Sequence, residues 1–155
     1  MSAGGPPPLR PFGLVLHRDG RWSHEGQHVT HGRLRAAFDR GVRFLTDEGK
    51  YVVQLGRFRG QIEVEEAAFF VRVFDPEHGT VRLSDGTEER LDVASLRPAR
   101  CDGAWLCRVK RELAPGGLDA RFTQAAWAQL LQAVEERDGR PVLRAAGEVH
   151  ALPAD

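Results

Sequence analysis

The stretch "LVLHRDGRWSHEGQHVTHGRLRAAF", residues 14–38, decides how the chain is read, because two turn signals and a helix start fall within it. Asp19-Gly20 between strand-like runs is a strong two-residue hairpin signal, and Glu25-Gly26 is a weaker one. The segment reads as a meander of three short strands. Thr30 stands where an N-cap belongs. Leu34, Ala37 and Phe38 follow it by four, seven and eight residues, which is one face of a helix ending near Gly41.

Four of the six histidines lie here: His17, His24, His28 and His31. Histidine is the commonest metal ligand and the commonest general base. A two-residue turn at Asp19-Gly20 pairs His17 with Trp22 and Val15 with His24, placing His17, Trp22 and His24 on one face. A second such turn pairs His28 with Ser23 on the opposite face, and His31 falls in the first turn of the helix. A four-histidine site therefore does not assemble. His17 and His24 have no third ligand in the local sequence, although a carboxylate can arrive from elsewhere in the fold. The expectation is no metal site, with Trp22 anchoring the core and the imidazoles at the hairpin rim.

The 155 residues suffice for one ordinary domain or two very small ones. Hydrophobic residues make up 41% and charged residues 28%, which argues against wholesale disorder. Acids and bases balance at 22 each, and there is a single Tyr. The chain thus lacks both the basic footprint and the stacking platform of a nucleic-acid binder. No apolar run approaches a bilayer span, so no membrane partner is expected. Residues 1–12, "MSAGGPPPLRPF", carry neither a basic n-region nor an apolar run and read as a disordered tail. That points to a cytoplasmic setting, with Cys101 and Cys107 as free thiols.

Beyond the helix, "RFLTDEGKYVVQL", "RGQIEVEEA" and "FFVRVFD" are strand-like. In "QIEVE", Ile62 and Val64 alternate with Glu63 and Glu65. "DPEHG", residues 75–79, reads as a break. A hairpin around Asp85-Gly86 follows, then strands "AWLCRVKREL" and "GLDARF". Thr123 is a second N-cap, with Trp127, Leu130 and Leu131 again at plus four, seven and eight. The helix "QAAWAQLLQAVEER" is expected to stop at Asp138-Gly139 and Pro141, before one or two closing strands. The predicted fold class is α+β: two small β+α units, each a mainly antiparallel sheet packed against one helix, spanning 13–75 and 80–155. The common plan suggests a structural repeat, though capped amphipathic helices often begin this way by themselves.

Three spaced segments, "LHRDGRWSHEGQHVTHGRLRAAF", "IEVEEAAFFV" and "RVKRELAPGGLDARFTQAAWAQLL", resemble those of a bacterial domain-of-unknown-function family, number 1285. The resemblance covers most of the chain after Gly13. It implies a two-unit α+β architecture and no established activity, with signalling or ligand sensing only suggested for such proteins. The family's Pro and Glu-Lys pair are replaced here by "QLGRFRGQ", which offers Arg57 or Arg59 instead, and its "DAPF" is "EAAF".

No Gly-x-Ser-x-Gly elbow or phosphate-binding glycine loop is present. Arg108 and Lys110 share a strand face, and Arg121 comes from the next strand. These cations suit an anionic ligand or the chain's own glutamates. Glu63, Glu65 and Glu66 suit acid–base work or a solvated face. Two functional readings follow. The first is a non-catalytic module that binds an unknown small molecule or protein partner through Arg108, Arg121, Glu63, Glu65 and Trp22, with no cofactor and no catalytic residue assigned. The second is an enzyme, hydrolase-like, with an unrecognised carboxylate and histidine site.

Overall fold

A computed structural model describes residues 11–153. The chain divides into two compact units, with the boundary between Glu65 and Glu66. The expected tail lies outside the described residues, apart from Pro11 and Phe12, which begin β1.

The first unit is a six-stranded sheet with one helix. β1 (Pro11–Leu16), β2 (Trp22–His24) and β3 (Gln27–His28) form a meander. α1 (Gly32–Gly41) follows, then β4 (Val42–Leu45), β5 (Lys50–Leu55) and β6 (Phe58–Val64). The strand order is β3-β2-β1-β6-β5-β4, and the central pair, β1 and β6, is parallel.

The second unit repeats this plan. β7 (Phe69–Asp75), β8 (Thr80–Leu83) and β9 (Glu88–Arg90) lead outward. A short 3₁₀ turn (Val93–Ser95) precedes β10 (Arg97–Pro98), β11 (Trp105–Val109) and β12 (Leu118–Phe122). Read from the β9 edge, the order is β9-β8-β7-β12-β11-β10, again with a parallel central pair. Leu16 lies opposite Val64 in one pair and Val71 opposite Phe122 in the other. The next backbone hydrogen bond is also shared: Glu65 N donates to Leu16 O, and Thr123 N to Val71 O, each at 3.0 Å.

The repeat is therefore one of sheets. The counterpart of α1 is the 3₁₀ turn. α2 (Gln124–Gln132) comes after the sixth strand and leads to an additional sheet of β13 (Val134–Arg137), β14 (Arg140–Ala145) and β15 (Glu148–Ala151). "DPEHG" is the β7–β8 turn, so the unit boundary lies ten residues earlier than the sequence break suggested.

Two turns differ from their sequence reading. Leu16, not His17, pairs with Trp22, because the first hairpin closes with His17 N donating to Arg21 O and Gly20 N to His17 O. This is a three-residue loop with Gly20 at φ 88°, a conformation that favours glycine, while Asp19 is not left-handed. Asp138-Gly139 does form the two-residue turn, both residues having positive φ, and joins β13 to β14. The helix accordingly ends at Gln132, and "VEER" is a strand.

The first helix is capped by His31, whose Nδ1 accepts from Leu34 N. Thr30 is not the cap, and Leu34 is largely exposed. Thr123 caps α2 as expected, accepting from Ala126 N. That helix buries Ala126 and Leu130, and its Leu131 faces solvent.

Trp22 is fully buried beside Leu14 and Leu16. Its ring centroid lies 5.3 Å from that of Phe38, and its Nε1 donates to Asp39 Oδ1 at 2.8 Å. One side chain thus joins the hairpin to the helix. Gly41 permits the close approach of α1 to β5, since a Cβ there would lie 2.6 Å from the Gln54 carbonyl oxygen. Trp22→Ala is expected to cost about 3–5 kcal/mol of unfolding free energy, read from urea denaturation followed by circular dichroism.

Candidate functional site

The corrected first turn rearranges the histidines. His24 stays on the Trp22 face, and His17 moves to the face of Ser23 and His28. The rings of His17 and His28 are 6.1 Å apart, edge to face. His17 and His24 therefore do not form a pair.

The parallel β1–β6 register sets His17, just beyond β1, beside Glu65, just beyond β6. His17 Nδ1 is 2.9 Å from Glu65 Oε2, and His17 Nε2 is 2.8 Å from Ser23 Oγ. Arg18 grips the other carboxylate oxygen: its Nε donates to Oε1 at 2.9 Å and its backbone N at 3.3 Å. These contacts, His17's first, hold the Glu65 carboxyl at about 2. An ionised carboxylate only accepts, so Nδ1 of His17 must carry the proton. In neutral imidazole Nε2 is then an acceptor, and Ser23 Oγ is its donor.

The other expected ligand residues lie apart from this cluster. Glu63 is exposed on β6, and Trp22 has no surface left for a ligand. Arg121 is clamped between Glu66 Oε1 and Asp102 Oδ2, each at 2.7 Å. Burial opposes its charge, but the two carboxylates outweigh burial and raise its pKa. Arg108 bonds Asp119 at 3.2 Å and the Gly117 carbonyl at 3.2 Å. Arg97 also pairs with Asp119, and Arg111 with Asp92. Arg57 lies in the β5–β6 turn, and Arg59 opposes Gln54.

The sequence did not single out the buried Lys110–Asp85 pair, with Nζ 2.8 Å from Oδ2. Burial raises the Asp85 pKa, but the Lys110 and Thr87 hydrogen bonds prevail and lower it. Lys110 Nζ also sits 4.9 Å from the centre of the Phe69 ring. Glu89 receives the Lys110 backbone N–H on both oxygens, and burial raises its pKa. The buried Cys107 thiol is pushed up to about 12 by burial, which keeps it protonated and inert. Cys101 is exposed, and both cysteines are free.

Asp75, Glu77 and His78 bring three ligating atoms within 4.8 Å of one another in the β7–β8 turn. Asp75 already accepts from both following backbone N–H groups and from His78 Nδ1, so the contacts close the turn.

The second unit also holds an open cleft of about 660 Å³. Phe74, Pro76 and Ala133 give it apolar surface. Gln129, Gln132 and the Glu135–Arg144 ion pair give it polar groups. Gln129 Oε1 accepts from Phe74 N at 2.8 Å, which fixes that amide.

No family model matches the chain, and no curated protein matches it. Solved structures do. A DUF1285 family protein from Silicibacter pomeroyi is similar with a TM-score of 0.60 and 18% identity, covering 97% of this chain and 89% of that one. A second DUF1285 family protein, from Shewanella baltica, is similar with a TM-score of 0.52 and 15% identity, covering 79% of this chain and 91% of that one. Among the described residues no helix is long and apolar enough to cross a membrane.

The Glu65 contacts have a measurable consequence. Its folded pKa is depressed, so pairing stabilises the fold above the ordinary carboxylate value of 4.5. That contribution is lost as pH falls from 4.5 through about 2. Carbon-detected NMR titration should place Glu65 near 2 in the native chain and closer to 4.5 in His17→Ala. The fold of the chain is that of the DUF1285 family proteins.

Proposed function

We propose that the protein is a cytoplasmic binding module, of use in signalling, which takes up a small molecule in the cleft of its second unit. The observation carrying this reading is the cleft itself. Its volume of about 660 Å³ lies within the range of small-molecule sites, and it combines apolar walls with a few fixed polar groups. The lining contains no Ser, Thr, Cys, His or Lys, and of its two carboxylates Glu135 is engaged by Arg144.

The lining also defines the ligand's chemistry. Phe74, Pro76 and Ala133 suit a short apolar body, and Gln132 offers an amide donor and acceptor. Arg144 is held by Glu135 at an exposed ion pair, which is worth little and exchanges readily with a ligand carboxylate. A small amide- or carboxylate-bearing compound meets these demands. The ion pairs of Arg108 and Arg121 make those residues weaker candidates for ligand contact than Arg144, since a ligand must displace partly buried carboxylates to reach them.

The test is a screen of small carboxylic acids and amides by saturation-transfer NMR against the whole chain. Hits are expected to lose binding at least about tenfold in Gln132→Trp, which fills the cleft, with the unfolding temperature unchanged. Tenfold corresponds to about 1.4 kcal/mol. A screen without hits, or hits indifferent to the substitution, overturns the proposal.

A further inference from the structure

The serine on the His17 face has a counterpart that clarifies its role. The sheet repeat aligns Leu16 with Val71 through their parallel partners Val64 and Phe122. Trp22 opposes Leu16, and Leu83 opposes Val71, so the following residues, Ser23 and Ser84, occupy corresponding positions. Both serines are buried, at 6% and 5% exposure. Their hydroxyls are used differently. Ser84 Oγ accepts from Phe70 N at 2.9 Å, a backbone bond within the sheet. Ser23 Oγ instead meets the Nε2 acceptor of His17.

The surroundings diverge to match. Arg72 stands in the second unit where His17 stands in the first, and Thr123 where Glu65 stands. At these corresponding positions the first unit, and not the second, lines up serine, imidazole and carboxylate, at 2.8 and 2.9 Å. Arg18 fixes the carboxylate and leaves Oε2 for His17. Nucleophile, base and orienting acid are each within the reach that acyl transfer requires.

We propose that Ser23 is an activated nucleophile and that the first unit hydrolyses small activated carboxylic esters through an acyl-Ser23 intermediate. Ser23 Oγ attacks the ester carbonyl carbon, and its proton passes to His17 Nε2. Glu65 stabilises the resulting imidazolium through Nδ1–H. The tetrahedral intermediate collapses, the ester C–O bond breaks, and the leaving oxygen takes the proton from Nε2. Water then attacks the acyl carbon while His17 accepts its proton, and breakage of the acyl–Oγ bond returns that proton to Ser23 and releases the carboxylic acid. His28, cross-strand from Ser23 with its ring 6.1 Å from that of His17, is the neighbouring imidazole that can offer a hydrogen bond to the substrate. The restricted exposure of Ser23 limits the acyl group to a small one such as acetyl.

The whole chain, without a histidine tag, is given p-nitrophenyl acetate. The expected result is nitrophenolate release with acetylation of Ser23, found by peptide mass spectrometry on acid quench. Ser23→Ala and His17→Asn are expected to lower the rate by about 100-fold or more, the usual scale of a lost general base. A fluorophosphonate gives an independent reading that needs no variant. Ser23 Oγ displaces fluoride to form an O–P bond, its proton passing through His17 to solvent, and Ser84 remains unlabelled as an internal control. Circular dichroism melts establish that each variant is folded. Acetyl and phosphonyl groups absent from Ser23, or equal labelling of Ser84, overturn the proposal. So does an undiminished rate in folded Ser23→Ala, which marks hydrolysis by exposed imidazoles alone. Ligand binding at the second unit's cleft is unaffected by either outcome.

Discussion

Each six-stranded sheet depends on one parallel pairing, that of its first strand with its sixth. The meanders β1–β3 and β4–β6 are built from local hairpins, and so are those of the second unit. What joins each pair of meanders into a single sheet is the β1–β6 or β7–β12 contact. Parallel strands cannot be closed by a tight turn, so this contact requires the whole intervening chain to travel out and back. It also decides chemistry. Because the two strands run in the same direction and in this register, the residues that follow them emerge side by side. His17 and Glu65, 48 residues apart in sequence, become neighbours for that reason. In the second unit the same closure puts Thr123 where it caps α2.

Local rules worked where the decisive interactions were local. The strand alternation of Ile62 and Glu63, the capping of α2 by Thr123, the strand character of "GLDARF", and the α+β class all followed from spacing. The two misread turns both involve Asp-Gly pairs. A type I′ two-residue turn, the one Asp-Gly favours, needs left-handed backbone at both residues, which Asp138 adopts and Asp19 does not. The dipeptide alone cannot say which, since the choice depends on the register that the neighbouring strands prefer. At residues 19–20, burying Trp22 beside Leu14 and Leu16 favours the longer loop. That single added residue transfers His17 from the core face to the Ser23 face. The length of α2 failed similarly: its apolar stripe continues into Val134, but pairing with β14 takes that residue into a strand.

Several arginines go into internal pairing. Arg18, Arg97, Arg108, Arg111, Arg121 and Arg144 all meet carboxylates of their own unit. Most of these pairs are partly exposed, where a salt bridge contributes little. Their use is geometric, since a guanidinium can hold a carboxylate in one orientation. Arg18 does this to Glu65, and Arg121 does it to Glu66 and Asp102 together. Lys110 serves a different need. Its compact ammonium fits the buried space between Asp85, Thr87 and the Phe69 ring. Removing either member leaves a buried charge alone, so that pair acts more as a constraint on the β8–β9 hairpin than as a source of stability.

The repeated sheet therefore separates architecture from chemistry. Both copies keep the parallel closure, the backbone bond beyond it and a buried serine at the corresponding position. These preserve the sheet whatever surrounds the serine. The neighbours then decide what the hydroxyl does. With Arg72 and Thr123 nearby, Ser84 spends it on a backbone N–H. With His17 and Glu65 nearby, Ser23 faces an imidazole whose proton is held on the far nitrogen. The two serines thus differ in partner, a backbone N–H for Ser84 and an imidazole for Ser23. In the first unit both neighbouring positions lie just past the strand ends, at His17 after β1 and Glu65 after β6, whereas Arg72 lies within β7.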